Sequence, residues 1–482
     1  MTNNGKFLDV SRRAFIGGTA AFAGLPLLGA QPQKGKAPKA GKAKGKVPPP
    51  AEELPPNASW ETPSGDATPA VLVRRLFLDL AGRIPTVDEA KEFVNSKDAF
   101  RRLKLVEKLL ASDAFADYWS MRFCDILRVK SEFPINLWPN AVYVYHRRIR
   151  EFVKRNEPWD AFTRALLNAT GSDFRDAESN FFRASARRTP EGLAEAAALT
   201  FLGEEYADLP AAKQKKYASY FGRVRIKNTR EWKEEIVYID PSNPSGPTPA
   251  AFADYLLGPA REKFAAAFVR RVDWWMLGLD KPDPEHVAIF KKNGFRLKPL
   301  VRAIALSKAY GRGSITGGFP CRRIDAEVLD DMICDLTGAK RDYQSIAPEP
   351  FTFLPKNRRS ILIEDGSITN SFLLLFGRPT RDTGHLSERH NEVTAKQRLF
   401  LYNSGKLFRQ LGGLTDNKAF RSRALREIVQ DLYWRFLSRP ASPAEVKMLV
   451  AHHSALKGGE RWRFPKDVAW SLMNTREFLY QH

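Results

Sequence analysis

Three observations predict a mostly α fold, a multi-helix globular body of packed helical hairpins. After residue 66 nearly every segment repeats apolar residues at helical spacing. Helix-start signals recur at Thr68-Pro69, Thr86 with Glu89, Thr189-Pro190 and Ser442 with Glu445. Each places an oxygen where it caps backbone N–H groups that have no intrahelical partner. Strand-like alternation stands out in one place, 221–227 and 235–239, which predicts a small β-hairpin near 221–239.

In chain order, the first helix opens at Thr68-Pro69 and closes at Gly82, and Thr86 opens the next. Helices follow at about 100–111, 114–129, 140–155, 159–169 and 190–202. After the hairpin, a Pro/Ser/Gly stretch at 241–249 marks a boundary between a helical domain at 66–240 and a second at 241–482. The second carries helical patterns at about 249–257, 261–277, 284–293, 297–310, 325–337, 367–376, 394–411, 418–437, 443–455 and 466–480. Three corners share one layout, LAGRIPTVDEAKEFV (80–94), LGLDKPDPEHVAIF (277–290) and LSRPASPAEVKMLV (437–450). Each ends a helix at Gly or Ser, turns at Pro and opens an amphipathic helix with an acid, which is the punctuation of helical hairpins.

The N-terminus reads as a targeting signal. Arg12 and Arg13 precede Phe15-Ile16 and a mild Gly/Ala-rich apolar run to Ala30. This is the pattern of a twin-arginine export signal over residues 1–30. Residues 31–65 form a basic Lys/Gly/Ala/Pro linker, expected to be disordered. Past the signal, no apolar run reaches the ~20 residues that span a bilayer, so no stable transmembrane anchor is expected.

The formal net charge is +22. Residues 1–56 hold nine Lys/Arg against three Asp/Glu, which leaves +16 on the rest. In an exported protein this balance points to an anionic polysaccharide or an acidic envelope protein rather than nucleic acid. Dispersed arginines that only keep the chain soluble are the alternative. The three cysteines, Cys124, Cys321 and Cys334, exclude a disulfide scaffold, and Cys124 sits in an apolar helical pattern that places it in a core.

There is no P-loop, nucleophile elbow, HExxH or CxxCH. The densest polar constellation is RPTRDTGHLSERHNE at 378–392, kept irregular by Gly377, Pro379 and Gly384. Three readings stand. Structural ion pairs pin the loop; or Arg378, Arg381 and Arg389, with Glu388 and His385, bind a sulfate or carboxylate; or His385, Glu388 and His390 bind a metal. Two smaller clusters carry the same choice between structure and chemistry. Asp125 and Arg128, at i and i+3, pair along a helix face. Arg323, Asp325 and Glu327 surround a helix start with Asp325 as N-cap.

RRLFLDLAGRIPTVDEAKEFV, LVEKLLASDAFADYWSMRFCDILR and NEPWDAFTRALLNATGSDF resemble domain of unknown function 1549. FADYLLGP, LVRAIALSKAYGRGS, RRIDAEVLDDMICDLTG, SFLLLFGRPTRDTGHLSERHNEVT and WSLMNTREFLYQH resemble domain of unknown function 1553. The resemblance covers most of 66–482 and implies the tandem, exported, planctomycete cytochrome-associated family, whose biochemical role is not established. The chain departs from it twice. FLG (201–203) is followed by neither Cys nor His where relatives carry CxxCH, so no covalent haem and no other cofactor is expected. His385-Leu386-Ser387-Glu388-Arg389 stands where relatives show Cys-Glu-Cys-Glu-Arg.

The expectation is an exported, periplasmic or envelope-associated, non-haem binding or accessory protein acting with an anionic or sulfated polysaccharide or an envelope partner. The alternative is a hydrolase or lyase on such glycans that uses the loop 378–392. Replacing Arg12 and Arg13 together by Lys is expected to leave precursor in the cytoplasm, because the translocase reads the arginine pair. Fractionation showing normal export of the double variant would refute the signal.

Overall fold

A computed structural model describes residues 62, 64–315, 317–346, 352 and 354–482, all within one compact unit. The export signal and the linker, apart from residues 62, 64 and 65, lie outside the described residues.

Helices dominate, as the periodicity predicts. The first half contributes α1 (Pro69–Ala81), α2 (Val87–Asn95), α3 (Arg101–Ala111), α4 (Asp113–Ile126), α5 (Pro139–Arg155), α6 (Trp159–Asn168), α7 (Pro190–Ala197) and α8 (Ala211–Ser219). The second half contributes α9 (Pro249–Leu257), α10 (Arg261–Leu277), α11 (Pro284–Lys292), α12 (Leu297–Leu306), α13 (Ala326–Thr337), α14 (Ala395–Asn403), α15 (Leu425–Leu437), α16 (Pro443–Ala455) and α17 (Gly459–Met473). Among the described residues, no helix is long and apolar enough to cross a membrane.

The caps explain where several of these helices begin. Thr68 accepts from the Val71 N–H with Pro69 at the first helical position, and Gly82 ends α1 in the left-handed region. Thr86 with Glu89 and Ser442 with Glu445 both close reciprocal capping boxes. Glu89 also takes both ends of the Arg83 guanidinium, at 2.7 and 2.8 Å. The expected hairpin is present as β2 (Val224–Asn228) and β3 (Glu235–Ile239), in register Val224 to Ile239. Its free edge takes a short strand, β1 (Gly171–Ser172). A second small sheet joins β4 (Arg322–Arg323) to β5 (Tyr480–Gln481). It has no hairpin signal, because its two strands are far apart in sequence.

Several helices are shorter than their apolar periodicity implies. The pattern at 394–411 breaks at Ser404, which caps a new turn through the Leu407 N–H. The pattern at 418–437 breaks before α15, and that at 367–376 shrinks to Ser371–Leu375. At 466–480 the helix instead begins earlier, at Gly459, and carries Pro465 inside it. At Ser404 and at Asn370, which caps through the Leu373 N–H, local hydrogen-bonding chemistry overrides the apolar period.

The core is aromatic and shared by both halves of the chain. Trp159, fully buried, meets Phe123, Phe152 and Phe162 from the first half and Phe268 from the second. Phe268 stacks on Phe290 with ring centroids 4.5 Å apart. Helix pairs α6–α9, α3–α12 and α2–α15 pack across the same division. Cys124 lies in this interior, as expected.

Buried arginines of α1 tie distant segments together. Arg74 donates to the carbonyls of Phe436 and Phe478 at 2.8 and 3.0 Å. Arg75 donates to those of His482 and Arg312 at 3.1 and 2.9 Å. Asp79 accepts from the Tyr310 hydroxyl and the Gln481 amide at 2.7 and 2.5 Å.

His482 is buried beside these arginines. Burial, with help from Arg74, holds its pKa down at about 3. The imidazole is therefore neutral in the fold, whereas the unfolded chain protonates it below about 6.5. Its contribution to stability is full above that value and is lost as pH falls towards 3. From pH 7 to pH 5 this side chain alone is expected to remove about 2 kcal/mol. Urea midpoints should fall less steeply with acid in His482→Gln, and an equal slope would refute the assignment.

Candidate functional site

The loop 378–392 folds onto the ends of α4 and α13. Its glycines are required. Gly377 has φ +81° and a Cβ there would sit 2.0 Å from the His390 carbonyl oxygen. The loop closes on itself at this point, with the His390 N–H donating to the Gly377 carbonyl at 3.1 Å. Gly384, also at φ +81°, rests against the Ile126 carbonyl at the end of α4.

This placement turns the loop arginines inward. Asp125, in the last turn of α4, accepts from Arg381 Nε at 2.9 Å and from Arg389 Nη2 at 2.7 Å. Arg389 also grips Glu327, in the first turn of α13, at 2.6 and 3.1 Å. Arg378 Nε lies 3.4 Å from the same carboxylate. The rest of its guanidinium donates to the Ile368 and Asp365 carbonyls. Asp325 takes Arg122 at 2.7 Å, the Tyr118 hydroxyl at 3.1 Å and the Asn391 amide at 3.2 Å. Burial opposes ionisation of Asp325 and Glu327, but their arginines overcome it and hold both carboxyls below the usual range.

Two pairings expected from spacing are corrected. Arg128 does not pair with Asp125. It sits past the end of α4 at φ 56°, and its side chain donates to the Ala184 carbonyl at 2.5 Å and the Thr200 hydroxyl at 3.1 Å. Asp325 holds the N-cap position of α13 but makes no capping hydrogen bond, because Arg122 and Tyr118 engage its carboxylate.

The other loop groups do local work. Glu388 accepts the N–H groups of Asp382 and Thr383 at 3.1 and 2.8 Å, and His385 meets Glu205 at 3.1 Å. His385, Glu388 and His390 do not gather as a three-ligand group, and no such group of His, Cys, Asp and Glu occurs among the described residues.

Beside this lattice opens a cavity of about 690 Å³, a volume typical of small-molecule sites. Tyr118, Arg122, Asp125, Asp325 and Arg389 form one wall; Arg322, Arg323, Trp274 and Trp275 form another. Arg323 differs from the loop arginines. It is buried, and its Nη2 donates to the Phe376 and His390 carbonyls and the Asn391 side chain. Its Nε and Nη1 have no hydrogen-bond partner, and it makes no carboxylate contact among the described residues. Arg122, Arg378, Arg381 and Arg389 share three carboxylates, Asp125, Asp325 and Glu327, and Arg323 adds a guanidinium with none in contact among the described residues. Trp274 is 43% exposed at the rim.

Trp274, Arg122 and Arg322 were not singled out in the sequence. A faint signal existed in VRRVDWWML (269–277), where paired arginines and paired tryptophans fall on one helix at i and i+4.

The protein of unknown function DUF1549, PSCyt2, matches residues 57–228, and the protein of unknown function DUF1553, PSD1, matches 287–453. The chain belongs to this tandem family. Within the tandem pair, DUF1549 supplies Asp125 and Arg122, and DUF1553 supplies Asp325, Glu327 and the loop. The lattice therefore joins the two matched segments. No curated protein and no solved structure matches the chain.

Because Arg389 bridges Asp125 and Glu327, Arg389→Ala is expected to cost roughly 3–5 kcal/mol of stability, the effect of leaving buried charges unpaired. Denaturant unfolding checks this, and wild-type stability in the variant would show that the lattice is not structural.

Proposed function

We propose that this chain is an exported, non-haem binding or accessory protein that holds an anionic polysaccharide in the cavity beside the loop 378–392. The observation that carries the reading is Arg323. A buried guanidinium with two nitrogens unpaired is costly unless an anion completes it. A sulfate or carboxylate entering the cavity supplies two acceptor oxygens in the planar geometry that a guanidinium prefers. Trp274 adds an exposed aromatic face on which a sugar ring packs.

The charge distribution supports the same reading. Among the described residues, eleven buried Arg and Lys stand against twelve buried Asp and Glu. Buried pairing therefore absorbs none of the +16 borne by residues 57–482. That excess sits at or near the surface, where it raises the local concentration of a polyanion.

Binding is favoured over hydrolysis by the state of the buried acids; of the groups lining the cavity, the exposed Glu392 and His390 are the ones a hydrolytic reading would use. Asp125, Asp325 and Glu327 are each locked by arginine. Asp79, whose carboxyl burial pushes up, is filled by Tyr310, Gln481 and Arg322. A general acid or base needs a proton position open to substrate.

Titration calorimetry with a sulfated disaccharide tests this. Trp274→Ala and Arg323→Lys are each expected to lower affinity about tenfold, close to 1.4 kcal/mol, with the exposed Trp274→Ala variant keeping the wild-type melting temperature. Unchanged affinity in both, or equal binding of the unsulfated sugar, would overturn the reading.

A further inference from the structure

A second cavity, of about 290 Å³, adjoins the first. Trp274, His385, Leu386, Ser387 and Arg389 line both, so the two are compartments of one cleft with Trp274 at their junction. The second compartment has its own buried cation. Arg271 of α10 is 6% exposed, and its guanidinium donates to the Leu199 carbonyl at 2.5 Å and, weakly, to the Ala267 carbonyl at 3.4 Å. No carboxylate pairs with it among the described residues. Burial, then its neighbours Arg270 and Arg128, push its pKa down to about 10, with no acid to offset them. Arg270, exposed, lines the same compartment and donates through Nε to the Asp280 carbonyl at 3.0 Å.

The local backbone accounts for the compartment's shape. After α7 the helix widens into a π turn, Ala198–Leu202, which ends at Gly203 in the left-handed region. The Leu199 carbonyl, inside this turn, receives Arg271. Gly203 lines this compartment, where an added Cβ would make ordinary contact with Ala267 at 3.7 Å. π turns of this kind concentrate at functional sites because they displace groups from the regular helical ladder.

We infer that the cleft takes a linear polyanion across two subsites, one anionic group at Arg323 and a second at Arg271 and Arg270, with a sugar ring between them on Trp274. The inference rests on the binding reading above and adds the length and charge spacing of the ligand. A single small anion, such as free sulfate, fills one compartment and leaves the other cation uncompensated. A chain with at least two charged units satisfies both, and the second contact is intramolecular once the first is made. Asp280 and Glu205, which also line the second compartment, disfavour ligands that place an anion towards their side.

The test compares a sulfated disaccharide with a sulfated hexasaccharide of the same polymer on the full exported chain. The hexasaccharide is expected to bind about tenfold tighter or more. That ratio is expected to fall below about threefold in Arg271→Met and in Arg270→Gln. Arg270→Gln changes an exposed side chain and keeps the experiment informative where Arg271→Met folds poorly. A hexasaccharide advantage that survives Arg270→Gln, or is absent from the wild type while Arg323→Lys still weakens the disaccharide, overturns the second subsite and leaves the binding reading intact. Disaccharide affinity indifferent to Arg323 and Trp274 overturns both.

Discussion

The contact on which the site depends is the grip of Arg389 on Asp125 and Glu327. One guanidinium joins the end of α4, the start of α13 and the loop between Gly377 and Asn391. Each carboxylate would be costly to bury without its arginine. Arg381 completes Asp125, and Arg378 leans on Glu327. The loop is irregular in backbone but not free. Its glycines allow the close approach, and the ion pairs fix the result. Only because this wall is fixed does a cavity of constant shape exist beside it.

The same logic runs through the molecule. Arg74 and Arg75 end on carbonyls of distant segments rather than on acids. Arg439 pairs bidentately with Glu445 and with Glu477. A guanidinium suits these junctions because its planar fork serves several acceptors and stays charged when buried. Long-range ties of this kind explain why the residues before and after 241 share one core. Arg323 stands apart among them in a narrower sense: two of its buried guanidinium nitrogens have no hydrogen-bond partner among the described residues. A buried donor left open in this way is where a ligand is expected to contribute.

Much of the fold was legible because helix punctuation is local. Thr68-Pro69, the two capping boxes and the hairpin register follow from residues within a few positions of one another. The site was legible in composition but not in partnership. The charged loop, Asp125 and the Arg323–Glu327 segment were all visible as polar clusters. The sequence could not say that Asp125 would reach 256 positions along the chain to Arg381 rather than three to Arg128. Helical spacing proposes the nearer partner, and the left-handed turn at Arg128 removes it. Asp325 was diverted from capping in the same way, by Arg122 on a helix 203 positions away. Trp274 and Arg271 were hidden for a different reason. In an apolar amphipathic pattern they read as ordinary helix, and only the neighbouring π turn and loop make them line a cleft.

The segment His385–Arg389 serves the site in two ways. Glu388 and Arg389 hold the loop: one ties down the Asp382 and Thr383 N–H groups, and the other anchors both carboxylates. His385 and Ser387 line both compartments of the cleft. Arg389 lines both compartments as well, so one of these five residues is at once scaffold and lining. A change at 385 or 387 alters what the cavity offers a ligand without touching the charges that shape it. A change at 388 or 389 removes the wall itself. Wall and lining thus meet in Arg389, so the ion pairs that shape the cleft also set the charge it presents.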